Sequence, residues 1–286
     1  MDAALRAALE ADLGAAIQRA SPVRGGDVAI AYRVELVDGR TLFAKTHLSP
    51  PPAFFSTEAT SLRWLREPDA VAVPDVVAVS DTPAYLVLEW IDEGRAGPST
   101  EHDLGHALGH LHQAGAPCFG RDDRRTTGSR ALPNDPCDTW VEFYAERRLR
   151  PLARLAAASA ALPEATIAQL DGVAARLDRF GVPDEPPARL HGDLWAGNRL
   201  VDTAGRNWLI DPAAHGGHRE FDLAMMRLFG GFGAACFAAY EDVAPLAPGW
   251  PERVALHQIA PLVVHAIKFG GGYVAAATAA IARYAG

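Results

Sequence analysis

The segment Leu190–Asp202, LHGDLWAGNRLVD, places a carboxylate at Asp193 and an amide at Asn198. A second segment, NWLIDPAAHGG, places Asp211 at the end of a short apolar run. A hairpin between the segments would bring the oxygen atoms of Asn198 and Asp211 together, and Mg²⁺ binds through such oxygen ligands and shares them with phosphates. Asp193, held apart from the metal, could accept the proton of an attacking hydroxyl group. The pattern predicts phosphoryl transfer, and the alternative is a polar turn between two strands.

The composition limits the classes of protein that fit this pattern. Of the 286 residues, 49% are hydrophobic, which is enough for a sizeable core. Lys and Arg number 27 against 35 Asp and Glu, giving a net charge of -8, and no basic block is present. We therefore expect no nucleic-acid partner. No apolar run approaches the roughly 20 residues of a membrane span, and the N-terminus lacks the pattern of a secretion signal. Widely spaced cysteines without a CxxC pair predict reduced thiols, and we expect a cytoplasmic protein without a membrane partner.

The first 91 residues alternate between helical and strand patterns. Apolar residues at a spacing of four, from Leu5 to Ile17, predict an amphipathic helix that ends near Ala20. The strands VAIAYRVEL and TLFAK follow, joined by a tight turn at Asp38 and Gly39. The segment FFSTEATSLRWLRE has helical spacing, and VPDVVAVS and AYLVLEWI are typical of strands. This order predicts an N-terminal helix, an antiparallel sheet and one further helix.

The chain changes character at residues 92–100, which are rich in Gly, Pro, Ser and Asp. Such a composition is typical of a boundary between compact units. Beyond it the patterns are mostly helical, and only the region from Leu190 to Ile210 again has the pattern of strands. We therefore predict an α+β fold with a β-rich N-lobe, residues 1–91, and a helical C-lobe, residues 92–286, that carries the catalytic and metal-binding loops.

Several motifs resemble those of known kinases. HGDLWAGN, followed by a strand and an Asp, resembles the catalytic and metal-binding segments of protein-kinase-like small-molecule kinases. DPAAHGGHREFDLAMMRLFGGF, WVEFYAERRLRP, GSRALPN and HAIKFGGGYV resemble the fructosamine kinase, or ketosamine-3-kinase, family. The similarity covers nearly the whole chain and is strongest from Gly128 onward. It implies a two-lobed, protein-kinase-like fold and an ATP-dependent phosphorylation of the 3-hydroxyl of sugars joined to amines by glycation. The 3-phosphate product then falls off and restores the amine.

The resemblance also implies roles for the polar residues of these motifs. Asp193 would be the catalytic base, and Asn198 and Asp211 would bind Mg²⁺. His191 would support the catalytic loop through hydrogen bonds. Asp222, in FDLA, would brace the same loop, and the alternative for this residue is an N-terminal helix cap.

A nucleotide site is predicted in the N-lobe. Lys45, on a strand, could reach the phosphates of ATP while Glu58, on the following helix, holds it in place. The pair Gly25 and Gly26 would cover the phosphates, and the run LVLEWIDEG would contact adenine through the carbonyl of Glu89 and the N–H of Ile91. The alternatives are a solvated lysine and a plain tight turn at the glycines.

Substrate contacts are assigned to three residues. Trp195, beside the predicted base, could lie against a sugar ring, and the alternative is that it fills the core. His218 and Glu220 offer polar groups near Asp211 for recognition of the sugar or amine.

A row of histidines, His102, His106 and His110, recurs at every fourth residue of a predicted helix. Two imidazoles at this spacing can hold a transition metal. No Glu lies between them as in HExxH, and ordinary surface or core histidines are the alternative.

The leading hypothesis is an ATP- and Mg²⁺-dependent ketosamine kinase. HGD…N…D is shared across the superfamily, so a kinase for an aminoglycoside, choline or another small alcohol is the alternative enzyme. GGHREFDLAMMRLFGGF favours the ketosamine branch. A pseudokinase scaffold is the alternative outside enzymes, although a scaffold has no need of Lys45, Asp193, Asn198 and Asp211 together. The sequence leaves open the sugar, the amine and the oligomeric state.

Overall fold

The computed structural model describes residues 1–23, 29–124, 126–127 and 131–286. The described chain divides into two compact units, one of Met1–Thr100 with Arg199–Pro212 and one of Glu101–Asn198 with Ala213–Gly286. This division differs from the predicted one, which has a single boundary after residue 91. In the structure, residues 199–212 belong to the first unit. The lobe limits of 1–91 and 92–286 stay a prediction.

The first part of the first unit is an antiparallel sheet with two helices. The strands lie in the order β1-β2-β3-β5-β4. The elements are α1 (Ala3–Leu13), β1 (Ile17–Val23), β2 (Ile30–Leu36), β3 (Thr41–Thr46), α2 (Phe54–Arg66), β4 (Val76–Asp81) and β5 (Ala84–Glu89).

Helix α1 is shorter than the sequence pattern predicts. Asp2 caps its first turn by accepting the Leu5 N–H at 2.8 Å. Gly14 follows Leu13 with φ 66, the left-handed conformation that ends many helices and favours glycine. Ile17 is buried, but it begins β1, so the prediction of a helix to near Ala20 is wrong. The four-residue spacing continued across the helix end by coincidence.

The sheet places Lys45 on its central strand. β3 pairs with β2 and β5, and Lys45 lies opposite Ala31 and Leu86. Because side chains alternate along a strand, Leu42 and Ala44 join the core that includes α1, and Lys45 points to the other face, toward α2. The hairpin predicted at Asp38 and Gly39 is confirmed, and Gly39 has φ 90.

The rest of the chain is mainly helical, as predicted. Its helices are α3 (Thr100–Gln113), α4 (Trp140–Phe143), α5 (Arg150–Ala158), α6 (Glu164–Ala174), α7 (Glu220–Phe229), α8 (Ala234–Val243), α9 (Trp250–Phe269) and α10 (Gly272–Ala282). A π-helix, Tyr144–Leu149, joins α4 to α5. Short strands are β6 (Thr126–Thr127), β7 (Leu132–Pro133), β8 (Ala188–Leu190), β9 (Arg199–Val201), β10 (Asn207–Leu209) and β11 (His215–Gly217).

The core of the second unit is formed by the helices around α9. Residues from α5, α6, α9 and α10 and from the π-helix pack together there. Tyr144 is fully buried, and its hydroxyl donates to the carbonyls of Leu256 at 2.9 Å and His257 at 3.2 Å. Within the described ranges, no helix combines the length and apolarity needed to cross a bilayer.

Candidate functional site

The predicted catalytic loop leaves a short two-stranded sheet in the second unit. β8 pairs antiparallel with β11, with Leu190 opposite His215. Gly192 follows with φ 81, and a Cβ there would come within 2.2 Å of the Ala213 carbonyl oxygen. A side chain at this position would therefore clash with backbone, which explains the glycine of HGD.

Asp222 holds the start of this loop. It is completely buried on α7, and its two carboxylate oxygens accept the N–H groups of His191 at 2.7 Å and Gly192 at 2.9 Å. His112 Nε2 lies 3.4 Å from the same carboxylate. Burial opposes the charge of Asp222, but the hydrogen bonds from His112 and Gly192 and the nearby imidazoles lower its pKa overall. The carboxylate thus contacts the loop that it was predicted to brace, and the cap position of α7 is Arg219.

Asn198 and Asp193 are joined by hydrogen bonds within the loop. Asn198 Nδ2 donates to the Asp193 carbonyl at 2.9 Å and to Asp193 Oδ2 at 3.1 Å. Asn198 is buried at the end of the 3₁₀ turn Ala196–Asn198. Because the amide nitrogen makes both bonds, the amide oxygen is the atom that remains to act as a ligand.

Trp195 lies on the surface of the loop, and the residue is 40% exposed. Its ring is 6.0 Å from that of Phe229, and Phe229 lies 4.9 Å from the imidazole of His265. Tyr273 and Phe269 continue this aromatic row, at 5.0 Å and 5.5 Å from His265. The sequence analysis did not assign Phe229 or the three rings of α9 and α10 to the site. Those three rings all lie in the motif HAIKFGGGY.

In the first unit, Lys45 contacts two predicted site residues at once. Its Nζ lies 2.6 Å from Glu58 Oε1 and 2.6 Å from Asp211 Oδ1. Burial favours the neutral form of Lys45, but the two carboxylates raise its pKa overall. Burial raises the pKa of Glu58 to about 7 despite the charge of Lys45. Asp211 has φ 53, a left-handed conformation that Asp adopts more readily than most residues.

The hairpin predicted between the two polar segments is present. β9 pairs antiparallel with β10, with Arg199 opposite Leu209. Asp193 and Asn198 belong to the second compact unit, whereas Lys45 and Asp211 belong to the first. The convergence of Asn198 and Asp211 on one metal ion stays a prediction.

The predicted adenine segment lies at the end of β5. The Glu89 N–H donates to the Asp75 carbonyl at 2.9 Å, and the Glu89 carboxylate accepts the Asp75 N–H at 3.0 Å. The side chain of Ile91 is buried. Gly25 and Gly26 lie outside the described residues.

His218 and Glu220 form a buried cluster rather than an exposed surface, since each is only 1% exposed. Glu220 accepts hydrogen bonds from Arg253 at 2.9 and 2.5 Å, and His257 Nε2 lies 3.3 Å from Glu220. Burial opposes the charge of Glu220, but the partners His257 and Arg253 lower its pKa to about 2. Burial lowers the pKa of His218 to about 4. Candidate ligand atoms of His218, Glu220 and His257 lie within 4.8 Å of one another, but Arg253 already neutralises the carboxylate, which favours a structural role.

Comparison with solved structures identifies the fold. An APH(2")-IIa structure with streptomycin and ATP has a TM-score of 0.64 at 15% identity, covering 99% of this chain and 96% of that chain. The α+β fold of the kinase-like phosphotransferases, predicted from the sequence, is confirmed.

A family model and relatives of higher sequence identity show the family of this chain. The fructosamine kinase family model matches residues 1–285, and the chain therefore belongs to the fructosamine kinase family. A "Probable ketoamine kinase" of Synechocystis is 34% identical, covering 90% of this chain and 87% of the relative. The chloroplastic "Protein-ribulosamine 3-kinase" of Arabidopsis thaliana is 31% identical, covering 94% and 83%. The crystal structure of a "putative fructosamine-3-kinase" from Thermobifida fusca has 38% identity and a TM-score of 0.89, covering 98% of both chains.

Proposed function

We propose that this protein transfers the γ-phosphate of ATP to the 3-hydroxyl group of a ketosamine and so begins the removal of a glycating sugar. The observation that carries the proposal is the contact of buried Lys45 with both Glu58 and Asp211. A buried ammonium group requires compensating carboxylates, and this trio supplies them at a position where kinase-like enzymes bind phosphates. Family membership supports the ketosamine as acceptor.

In the proposed nucleotide site, Lys45 neutralises phosphate oxygens and Glu58 fixes the direction of its side chain. Main-chain groups of Glu89 and Ile91 receive the adenine.

The proposed ligands Asn198 and Asp211 each offer an oxygen atom, the ligand type that Mg²⁺ prefers. The bonds of Asn198 Nδ2 to Asp193 support this role because they direct the amide oxygen away from that residue. When bound, Mg²⁺ would neutralise the charge that develops on the phosphates. Asp211 would hold it through carboxylate oxygen, next to Lys45.

Asp193 is the proposed base. The 3-hydroxyl oxygen of the sugar forms a bond to the γ-phosphorus, the bond from phosphorus to the ADP oxygen breaks, and the hydroxyl proton passes to the Asp193 carboxylate. The hydrogen bond from Asn198 restricts rotation of this carboxylate, and Asp222 fixes the backbone before it. His191 supports the loop because its main-chain N–H donates a hydrogen bond to Asp222.

The exposed ring of Trp195 and the aromatic row beside it form the proposed acceptor surface. Aromatic faces pack against the C–H faces of sugars. Burial of His218 and Glu220 does not support a direct sugar contact. For these two residues we propose an indirect role, in which their contacts to Arg253 and His257 fix the first turn of α7.

The test is an acceptor panel with the purified protein, ATP and Mg²⁺. The panel contains fructosamine and ribulosamine adducts of lysine, the same adducts on a protein, an aminoglycoside and choline. We expect mass gain of one phosphate on a ketosamine and none on the last two. Transfer only to an aminoglycoside or choline would contradict the ketosamine assignment, and no transfer to any acceptor would favour a binding scaffold.

A further inference from the structure

Three histidines on α3 are exposed and form one row. His102, His106 and His110 all lie on the surface of the helix. The rings of His102 and His106 are 6.0 Å apart and nearly parallel, and those of His106 and His110 are 4.7 Å apart. None of these rings belongs to the proposed phosphotransfer site.

The backbone that carries the row is held rigidly. The opposite face of α3 is buried and packs so closely that a Cβ on Gly105 would lie 1.9 Å from the Cys236 carbonyl oxygen. A Cβ on Gly109 would lie 2.8 Å from the Val243 side chain. The helix is therefore fixed against α8, and the spacing of the exposed imidazoles is set by the helical repeat.

His112, two residues beyond the row, shows what a structural histidine on this helix looks like. It is 3% exposed, and its ring nitrogens lie 2.8 Å from the Tyr240 hydroxyl and 3.4 Å from Asp222. The row has the opposite environment, since its imidazoles face solvent. Core packing therefore does not account for it.

The spacing of the row suits chelation. Residues four apart on a helix have Cβ atoms roughly 5–6 Å apart, so two imidazole nitrogens can reach one ion at the roughly 2.0–2.1 Å of a zinc–nitrogen bond. His102 Nδ1 lies 3.5 Å from Asp103 Oδ1. A carboxylate near Nδ1 favours Nε2 as the ligand atom, and carboxylates are common beside the non-ligating nitrogen of metal-binding histidines.

We propose that the row binds a transition-metal dication of the Zn²⁺, Ni²⁺ or Cu²⁺ class. The site has two overlapping pairs, His102 with His106 and His106 with His110. His106 belongs to both pairs, and His102 and His110 are roughly 12 Å apart along the helix, too far to share an ion. His106 is thus the essential ligand, and either neighbour completes the site.

The test is calorimetric titration of the full chain, without a polyhistidine tag, with Zn²⁺ in a buffer that does not bind metals. The variants are H102A, H106A, H110A and the double variant H102A/H110A. The control is H47A, at a half-buried histidine whose Nδ1 accepts the Ser49 N–H at 2.9 Å. Alanine favours helix, so the α3 variants should fold, and circular dichroism checks this.

We expect H106A and H102A/H110A each to weaken Zn²⁺ binding by at least about tenfold, because a single imidazole loses the advantage of chelation. H102A and H110A should each have a smaller effect, and H47A none. Any binding of Zn²⁺ to the phosphotransfer site is common to all variants and cancels in the comparison. Unchanged affinity of H106A, or equal small losses in all three single variants, would overturn the proposal. Phosphate transfer to ketosamines, measured separately, should be unchanged in H106A.

Discussion

Replacing Asp222 with Asn tests whether α7 positions the predicted catalytic loop. Each carboxylate oxygen accepts one loop N–H, from His191 at 2.7 Å and from Gly192 at 2.9 Å. An amide has one acceptor oxygen, so one of the two buried N–H groups would face the NH₂ of the new side chain and lose its acceptor. That loss costs about 1–3 kcal/mol, and the remaining bond, no longer made to a charge, weakens by about 1 kcal/mol.

The expected result is therefore a free energy of unfolding lowered by about 2–4 kcal/mol, measured by urea denaturation. Because Asp193 follows directly after the two anchored residues, a small shift of the loop should lower kcat by about 100-fold with little change in the KM for ATP. Asp242→Asn is the matched control, since Asp242 is exposed on α8 and the change should stay within about 0.5 kcal/mol. If D222N, like the control D242N, matched the wild type in both stability and kcat, the bracing role of Asp222 would be refuted.

Four further predictions concern other contacts. Lys45→Met should lower kcat by about 100-fold, as removal of a charged clamp on the phosphates does, and wild-type rates in a coupled ADP assay would exclude the phosphate role. Arg253→Met should lower the free energy of unfolding by about 3–5 kcal/mol because buried Glu220 would lose its guanidinium partner and keep only the weaker contact with His257, and a loss below 1 kcal/mol in urea denaturation would contradict this. The pKa of Glu220 is lowered to about 2 from 4.5, so its contribution is present above pH 4.5 and is lost as pH falls toward 2. Stability should therefore decline less steeply between pH 5 and 3 in E220Q than in the wild type, and equal slopes would count against this linkage. Trp195→Ala should raise the KM for a ketosamine about fivefold and leave the KM for ATP unchanged, whereas an equal change in both would argue against a sugar contact.

The local patterns near the site were readable from the sequence. Strand alternation and the Asp38 and Gly39 turn predicted the β2–β3 hairpin that carries Lys45, and helical spacing predicted α2, which carries Glu58. Regular periodicity sets the direction of each side chain within its own element, so that Lys45 and Glu58 face each other. The polar segments around Asp193 and Asp211 predicted the short β9–β10 hairpin between them.

The sequence could not predict features that distant parts of the chain decide. Ile17 continues the spacing of α1, but the glycine after Leu13 ends the helix, and pairing with Leu36 makes Ile17 part of a strand. The burial of Glu220 also depends on a distant residue, since its partner is Arg253 on α9. No local pattern reveals such a partner.

The same limit applies to the aromatic row beside Trp195. Its rings come from the predicted catalytic loop, the end of α7, the end of α9 and the start of α10. Only the tertiary fold brings these element ends together, so periodicity within any one segment could not have identified the surface. Periodicity does explain why His110 is exposed and His112 is buried. A step of two residues along a helix turns the side chain from the exposed to the buried face.

The most direct test of the proposed function is phosphate transfer to a ribulosamine or fructosamine adduct by the wild type and by Asp193→Asn, followed by mass spectrometry. We expect the wild type with ATP and Mg²⁺ to add one phosphate to the ketosamine. The variant should bind ATP with similar affinity but transfer phosphate about 100 to 10,000 times more slowly, because the base is lost. Equal rates for the two proteins would contradict the assignment of Asp193, and absence of phosphate gain on every ketosamine with the wild type would contradict the proposed function itself.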